Sequence, residues 1–259
     1  MQTDIEPEAL TSRFRSLISR HAKLVKKEAG GLIRVLDGLL PAFRDKRKKW
    51  AETQRQSAND FNLLAVMGVH WDEICHSKIL AWLLDHRIES GTHAQGDLGF
   101  RLLLEELRPE LGKERAGQLM AYAREQDYWV RREVSGDEAK VDIEIAACGR
   151  SLVHLENKIH SVEGKDQTDR EWRDLQARRN ELGVPEEACY AIFLTLDASK
   201  AMNINFRSIG WNRIAKVAEK FADRSKPPEV KLFARHYAKA IRELSVVERD
   251  ELGADNAEV

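Results

Sequence analysis

Asp142, Glu156 and Lys158 are the residues of this 259-residue chain with the strongest claim to chemistry. They lie in the segments 141–145 (VDIEI) and 152–159 (LVHLENKI). Both segments read as apolar, β-rich strands, and a charge inside such a strand is costly unless a partner or a metal compensates it. Two carboxylates and an ammonium converging on one sheet end suit a divalent-metal site that cuts phosphodiesters.

Side chains alternate along a strand, so Glu156 and Lys158 share a face and Asn157 takes the other, with its backbone carbonyl available to a metal. Residues 148–151 (CGRS) read as a hairpin turn, because Gly149 tolerates positive φ. A hairpin sets Asp142 and Glu156 on neighbouring strands. The register stays open, since the turn type decides it. Two carboxylates plus a carbonyl form an all-oxygen ligand set, which suits Mg²⁺ or Mn²⁺. Lys158 would orient or help deprotonate a metal-bound water, or neutralise charge developing on a phosphate.

Asp142, thirteen residues and then Glu156-x-Lys158 resemble the PD-(D/E)XK nuclease superfamily, with Val141 in place of the Pro of the name. Further pieces, in order, resemble one bacterial subgroup of that superfamily. They are Asp60, Phe61 and Asn62; Trp71 to Ser77 with Glu73 and His76; Leu80 to Asp85; Asp166 and Gln167; and 192–196 (IFLTL). The resemblance spans roughly residues 58 to 220. It implies an α/β (α+β) fold with a restriction-endonuclease-like core, α-β-β-β-α-β, around a mixed four-stranded sheet. It implies Glu73 as a further metal carboxylate, His76 and Ser77 against a phosphate or bracing Glu73, and Gln167 at the scissile phosphate or the bases. It also implies hydrolysis leaving a 5′-phosphate and a 3′-hydroxyl, with DNA ahead of RNA as substrate, in a bacterial or phage defence or repair setting. Two positions depart from the pattern: Arg170 stands where a second Gln often follows, and the aromatic is Trp172 in place of the expected Tyr position.

Each candidate has a plainer reading. Glu73 can be an acid at a helix N-terminus, favoured by the dipole. His76 can be a structural hydrogen-bonding group, and Gln167 a solvated helix glutamine. Glu144 shares a strand face with Asp142 and reads either as a buttress to the ligands or as a solvent-facing acid. A catalytically silent module of the same fold, binding nucleic acid or protein, is one alternative function. A structural salt-bridged network around Lys158 is another. The intact triplet favours an enzyme, and selective Mn²⁺ binding separates the two classes.

The elements that must position these residues run helix, mixed α/β, helix. Residues 7–29 carry apolar residues at spacings of three and four, Gly30 and Gly31 interrupt, a helical rhythm resumes to Pro41, and a charged helix follows to about 56. Ser57 or Asn59 is a candidate cap for the next helix. Helices are expected at 72–85, 97–108 and 113–125, and strands at 128–134, 141–147, 152–159 and 189–196. Helices are also expected at 163–182 (closed by Gly183), 208–221 and 229–247. The division is a helical extension over 1–57, a nuclease domain over 58–247, and a frayed acidic tail over 248–259.

Composition sets outer bounds. The chain is 42% hydrophobic and 33% charged with a formal net charge of −1. That is enough for a core and excludes a globally basic nucleic-acid binder, while leaving room for a local basic groove. The densest basic stretch holds Lys46, Arg47, Lys48 and Lys49, followed by Trp50. It can track nucleic-acid phosphate with Trp50 stacking, or be a solvated helix face. The N-terminal helices can dimerise or engage a partner protein. Three scattered cysteines without CxxC spacing fit a reducing cytoplasm. No apolar run reaches membrane-spanning length, and no secretory leader is visible.

Overall fold

The computed structural model describes residues 7–57, 61–87 and 91–255. The chain folds as two units, Met1–Phe61 and Asn62–Val259. In the first, residues Pro7–Ser57 form one helix, α1. This corrects the expected interruption at Gly30-Gly31 and the break at Pro41. A glycine costs a helix only about 1 kcal/mol, and Pro41 removes a single backbone bond from a 51-residue element.

The second unit begins with α2 (Leu63–Val66) and α3 (Glu73–Leu84). Asn62 caps α2 by accepting the Leu64 N–H at 3.0 Å. The cap is thus neither of those expected: Ser57 closes α1, and Asn59, like Asp60, lies outside the described residues. Asn62 also donates to Glu243 at 2.9 Å. Asp72 caps α3, accepting from Ile74 and Cys75 at 2.9 and 3.1 Å, which satisfies donors that no helix turn can reach.

Helices α4 (Leu98–Leu111) and α5 (Lys113–Glu125) lead into a sheet of β1 (Trp129–Ser135), β2 (Lys140–Ala147), β3 (Ser151–Asn157), β4 (Cys189–Thr195) and β5 (Phe206–Gly210). Helix α6 (Gln167–Leu182) connects β3 to β4, and α7 (Trp211–Arg224) and α8 (Pro228–Asp255) close the unit. Sheet order follows chain order. The first two pairings are antiparallel and the last two parallel, so β3 is central with one neighbour of each kind.

Strand alternation sends two sets of side chains to two layers. Ile143, Ile145, Val153, Leu155, Ile192 and Leu194 join the large core that includes residues of α3, α4, α7 and α8. Ala146, Leu152, Ala191, Phe193 and Phe206 pack on the other side with Leu175 of α6. Helix α7 buries Trp211, Ile214, Ala215, Val217, Ala218, Phe221 and Ala222, a stripe at helical spacing.

The fold is α/β and restriction-endonuclease-like as expected, with one addition. A fifth strand, β5, pairs parallel with β4, where a helix starting at Ser208 was expected. Phe206 and Ile209 are buried while Arg207 is exposed. Over five residues this pattern does not separate a strand from a helix turn. At the other end α8 continues to Asp255, past the expected end at 247. No helix among the described residues is long and apolar enough to cross a membrane.

Candidate active site

The β2–β3 register, unreadable from sequence, pairs Ile143 with Leu155 and Glu144 with His154. One step further along that register sets Asp142 opposite Glu156. The turn is tight around Gly149, whose φ is +68°. The expected hairpin is therefore present, and its register brings the two carboxylates together.

Glu156 is 3% exposed. Its Oε1 receives the Lys158 ammonium at 2.8 Å and the Gln167 amide at 2.5 Å, while its Oε2 has no partner. Burial, then the neighbouring Asp142 charge, raises its pKa. Burial also raises that of Asp142, against hydrogen bonds from Asn157. Lys158 goes the other way. Burial disfavours its charge, but Glu156, Glu73 and Asp142 outweigh this and hold the ammonium above the ordinary lysine value. Its backbone is pinned on both sides: the N–H donates to Leu194 at 2.8 Å and the carbonyl accepts from Trp211 Nε1 at 3.0 Å. Lys158 lines a cleft of about 360 Å³ beyond β3 and β4, with His160, Ser161, Thr195, Asp197, Ser199 and Lys200 on its walls.

Asn157 turns toward α3. Its side-chain amide donates to Ser77 Oγ at 2.8 Å and also to Asp142 Oδ2, which accepts the Asn157 backbone N–H at 2.9 Å. The Asn157 side-chain oxygen is buried without a partner.

Glu73 stands apart from the two carboxylates. Its Oε1 accepts the backbone N–H groups of Ile159, His160 and Ser161 at 2.7, 3.0 and 3.1 Å, and the Ser161 hydroxyl at 2.8 Å. Burial raises its pKa, but these donors win and the net shift is downward. Glu73 therefore fastens α3 to the loop after Lys158, and its charge reaches Lys158 through space.

His76 and Ser77 were expected against a phosphate or bracing Glu73. His76 and Ser77 are both buried. His76 Nε2 hydrogen-bonds the His70 carbonyl at 2.9 Å, its ring lies against Trp211 and Tyr237, and burial lowers its pKa. Ser77 donates to the Glu73 carbonyl at 3.0 Å while accepting from Asn157. Both face the core, behind the strand ends that carry Asp142 and Asn157. Lys46, Arg47, Lys48 and Lys49 are exposed on α1, which belongs to the other unit.

Gln167 is committed to the protein. It donates to Glu156, as above, and to Glu171 at 2.7 Å, and accepts the Gly164 N–H at 3.1 Å. Glu171 is the residue that sequence reasoning missed. It is 3% exposed, its Oε2 has no partner, and burial, then Glu156, raises its pKa. The signal was present in α6: Thr168, Glu171 and Leu175 form a buried stripe at spacings of three and four. In a helix so rich in charge, the acid within that stripe is easily taken for surface.

Glu144 is a buttress. It meets His154 at 3.3 Å, Arg178 at 3.1 and 3.3 Å and Trp129 Nε1 at 3.3 Å. Burial raises its pKa, but His154 and Arg178 bring it down to about 2. Glu144, His154, Glu171, Asp174 and Arg178 line a small cavity of about 30 Å³.

Among the described residues no group of three or more His, Cys, Asp or Glu side chains stands close enough to hold a metal ion. The donors at the β2–β3 end nonetheless fit a hard divalent cation. They are oxygens, and the second oxygen of Glu156 and the side-chain oxygen of Asn157 are orphaned in the interior.

Compared with known proteins, the chain matches a family model described as the PD-(D/E)XK nuclease superfamily over residues 61–239. No curated protein and no solved structure matches it.

Proposed function

We propose that this chain, which belongs to the PD-(D/E)XK nuclease superfamily, is a divalent-metal-dependent nuclease that hydrolyses phosphodiester bonds in DNA. The observation that carries the reading is the meeting of Asp142, Glu156 and Lys158 at one sheet end, with Lys158 opening on the cleft. A defence or repair setting follows only from the family likeness noted in the sequence.

Asp142 and Glu156 would hold Mg²⁺ or Mn²⁺, with the Asn157 carbonyl and Glu73, directly or through water, completing the set. Such an ion supplies charge that acidifies a bound water and offsets charge on the scissile phosphate. Against burial, Glu156, Glu73 and Asp142 favour the charged form of Lys158. Its ammonium would orient the attacking water and face charge that develops on the phosphate. Asn157 holds Asp142 through two donors and so fixes one ligand against its neighbour. Gln167 fixes Glu156 in the same way.

The test is purified protein with circular and linear DNA, single- and double-stranded, and with RNA, in Mg²⁺ or Mn²⁺, beside EDTA and Lys158→Ala controls. Metal-dependent cutting of DNA, absent from Lys158→Ala, is the expected result. Cutting of RNA alone would move the substrate. Cutting that persists in excess chelator, or at wild-type rate in Lys158→Ala, would overturn the assignment.

A further inference from the structure

Beyond the triplet, α6 brings a third acid to the same place. Glu171 and Glu156 are each 3% exposed, and each has one carboxylate oxygen with no partner. A single amide nitrogen, Gln167 Nε2, bonds both, at 2.5 Å to Glu156 and 2.7 Å to Glu171. Its two N–H groups and the Lys158 ammonium reach only one oxygen of each carboxylate, and a buried carboxylate left short of partners is costly.

Charge counting points the same way. Asp142, Glu156 and Glu171 act on one another electrostatically, and Lys158 is the cation that acts on all three. Ionised together they leave an excess of two negative charges, which one divalent cation would match. Glu144 is separately neutralised by His154 and Arg178. It makes no demand on that ion, and Arg178 is not free to answer Glu171.

We propose that Glu171 is a further protein ligand of the divalent cation, binding it together with Glu156. This rests on the metal-dependent nuclease reading above, and it assigns a role to α6 that neither the triplet nor the upstream motifs contain.

The test counts free Mn²⁺ by electron paramagnetic resonance against the full-length, metal-stripped chain. Wild type, Glu171→Gln and Glu156→Gln are compared, with thermal unfolding in EDTA as the folding control. Glu171→Gln keeps the shape and the hydrogen-bonding capacity of a neutral acid but cannot supply a carboxylate. The expected result is Mn²⁺ affinity weakened about tenfold or more, with unfolding in EDTA unchanged or shifted up and the stabilisation on adding Mn²⁺ diminished. If Glu171→Gln binds Mn²⁺ as tightly as wild type while Glu156→Gln does not, Glu171 is a buried neutral acid and the proposal falls, leaving the nuclease reading intact. If wild type binds no Mn²⁺, both fall. Should Glu171→Gln not fold, Glu171→Asp decides: weakened Mn²⁺ binding supports the ligand role, and unchanged binding overturns it.

Discussion

Asn157 grips Asp142 twice on one oxygen, through its backbone N–H at 2.9 Å and through its side-chain amide. The grip crosses from the end of β3 to the start of β2, and the same amide reaches back to Ser77 on α3. The Asp142 carboxylate, a strand end and a core helix are thereby one hydrogen-bonded unit. The orientation of Asp142 is thus set by α3 as much as by the hairpin.

Breaking that unit from behind should show in stability first. Ser77→Ala removes the acceptor of a buried amide, and is expected to cost about 1–3 kcal/mol in urea unfolding. Cleavage should fall as well, because Asn157 and then Asp142 lose their register. Full stability in Ser77→Ala would mean that the Asn157 amide finds another acceptor and that α3 does not set Asp142.

Removing members of the triplet should separate binding from chemistry. Asp142→Ala and Glu156→Ala are expected to lose both Mn²⁺ affinity and cleavage. Lys158→Ala should keep Mn²⁺ affinity within a few-fold while cleavage falls on the order of 10²–10³. Binding isotherms beside single-turnover rates measure the two effects. Metal affinity lost in Lys158→Ala to the same degree as in Asp142→Ala would remove the distinction.

Ion-free protein is expected to lose stability as pH rises from about 4.5 through neutrality. Glu156 and Glu171 have pKa values raised above the ordinary 4.5, chiefly by burial. In that window the folded state keeps protons that the unfolded chain has released, so their stabilisation is full below 4.5 and is lost as pH climbs past the folded-state values. Glu144 acts oppositely at lower pH: its contribution is present above 4.5 and is lost as pH falls toward about 2. Urea midpoints in EDTA across about pH 4 to 9 measure the first slope. Glu171→Gln should flatten it, and an identical slope in that variant would show that Glu171 carries none of it.

The basic stretch of α1 is tested by salt. Changing Lys46, Arg47, Lys48 and Lys49 to Ser is expected to weaken DNA binding most at low salt. The slope of log affinity against log salt should flatten by about 0.7–0.9 per lost phosphate contact. Saturating DNA should restore the rate, since the hydrolytic residues are untouched. An unmoved slope would return these side chains to a solvated helix face.

What the sequence disclosed of this site was its strands. Asp142, Glu156 and Lys158 stand out because charge in an apolar β run is expensive, and their hairpin followed from Gly149. Register did not follow, since pairing depends on turn geometry that residue types do not determine. The inward direction of His76 and Ser77 was equally hidden. Their helix is apolar on most sides, so no stripe separates core from solvent, and only the packing of Trp211 and Tyr237 reveals it. Glu171 escaped because helical spacing marks a buried stripe reliably only when that stripe is apolar. Strand β5 escaped because five residues carry too little period.

The hairpin also orders events in time. Asp142 and Glu156 come together by the shortest loop closure in the sheet, across the turn at Gly149, whereas Gln167 and Glu171 arrive only when α6 has packed and β4 has docked in parallel on β3. Local pairing precedes non-local pairing in most chains. A hairpin formed first would set two like charges face to face before the Gln167 amide arrives to bond Glu156. Repulsion of this kind would raise the folding barrier, and acid or a divalent cation present during refolding would lower it. An ion held by Asp142 and Glu156 would thus also act earlier, during the chain's own assembly.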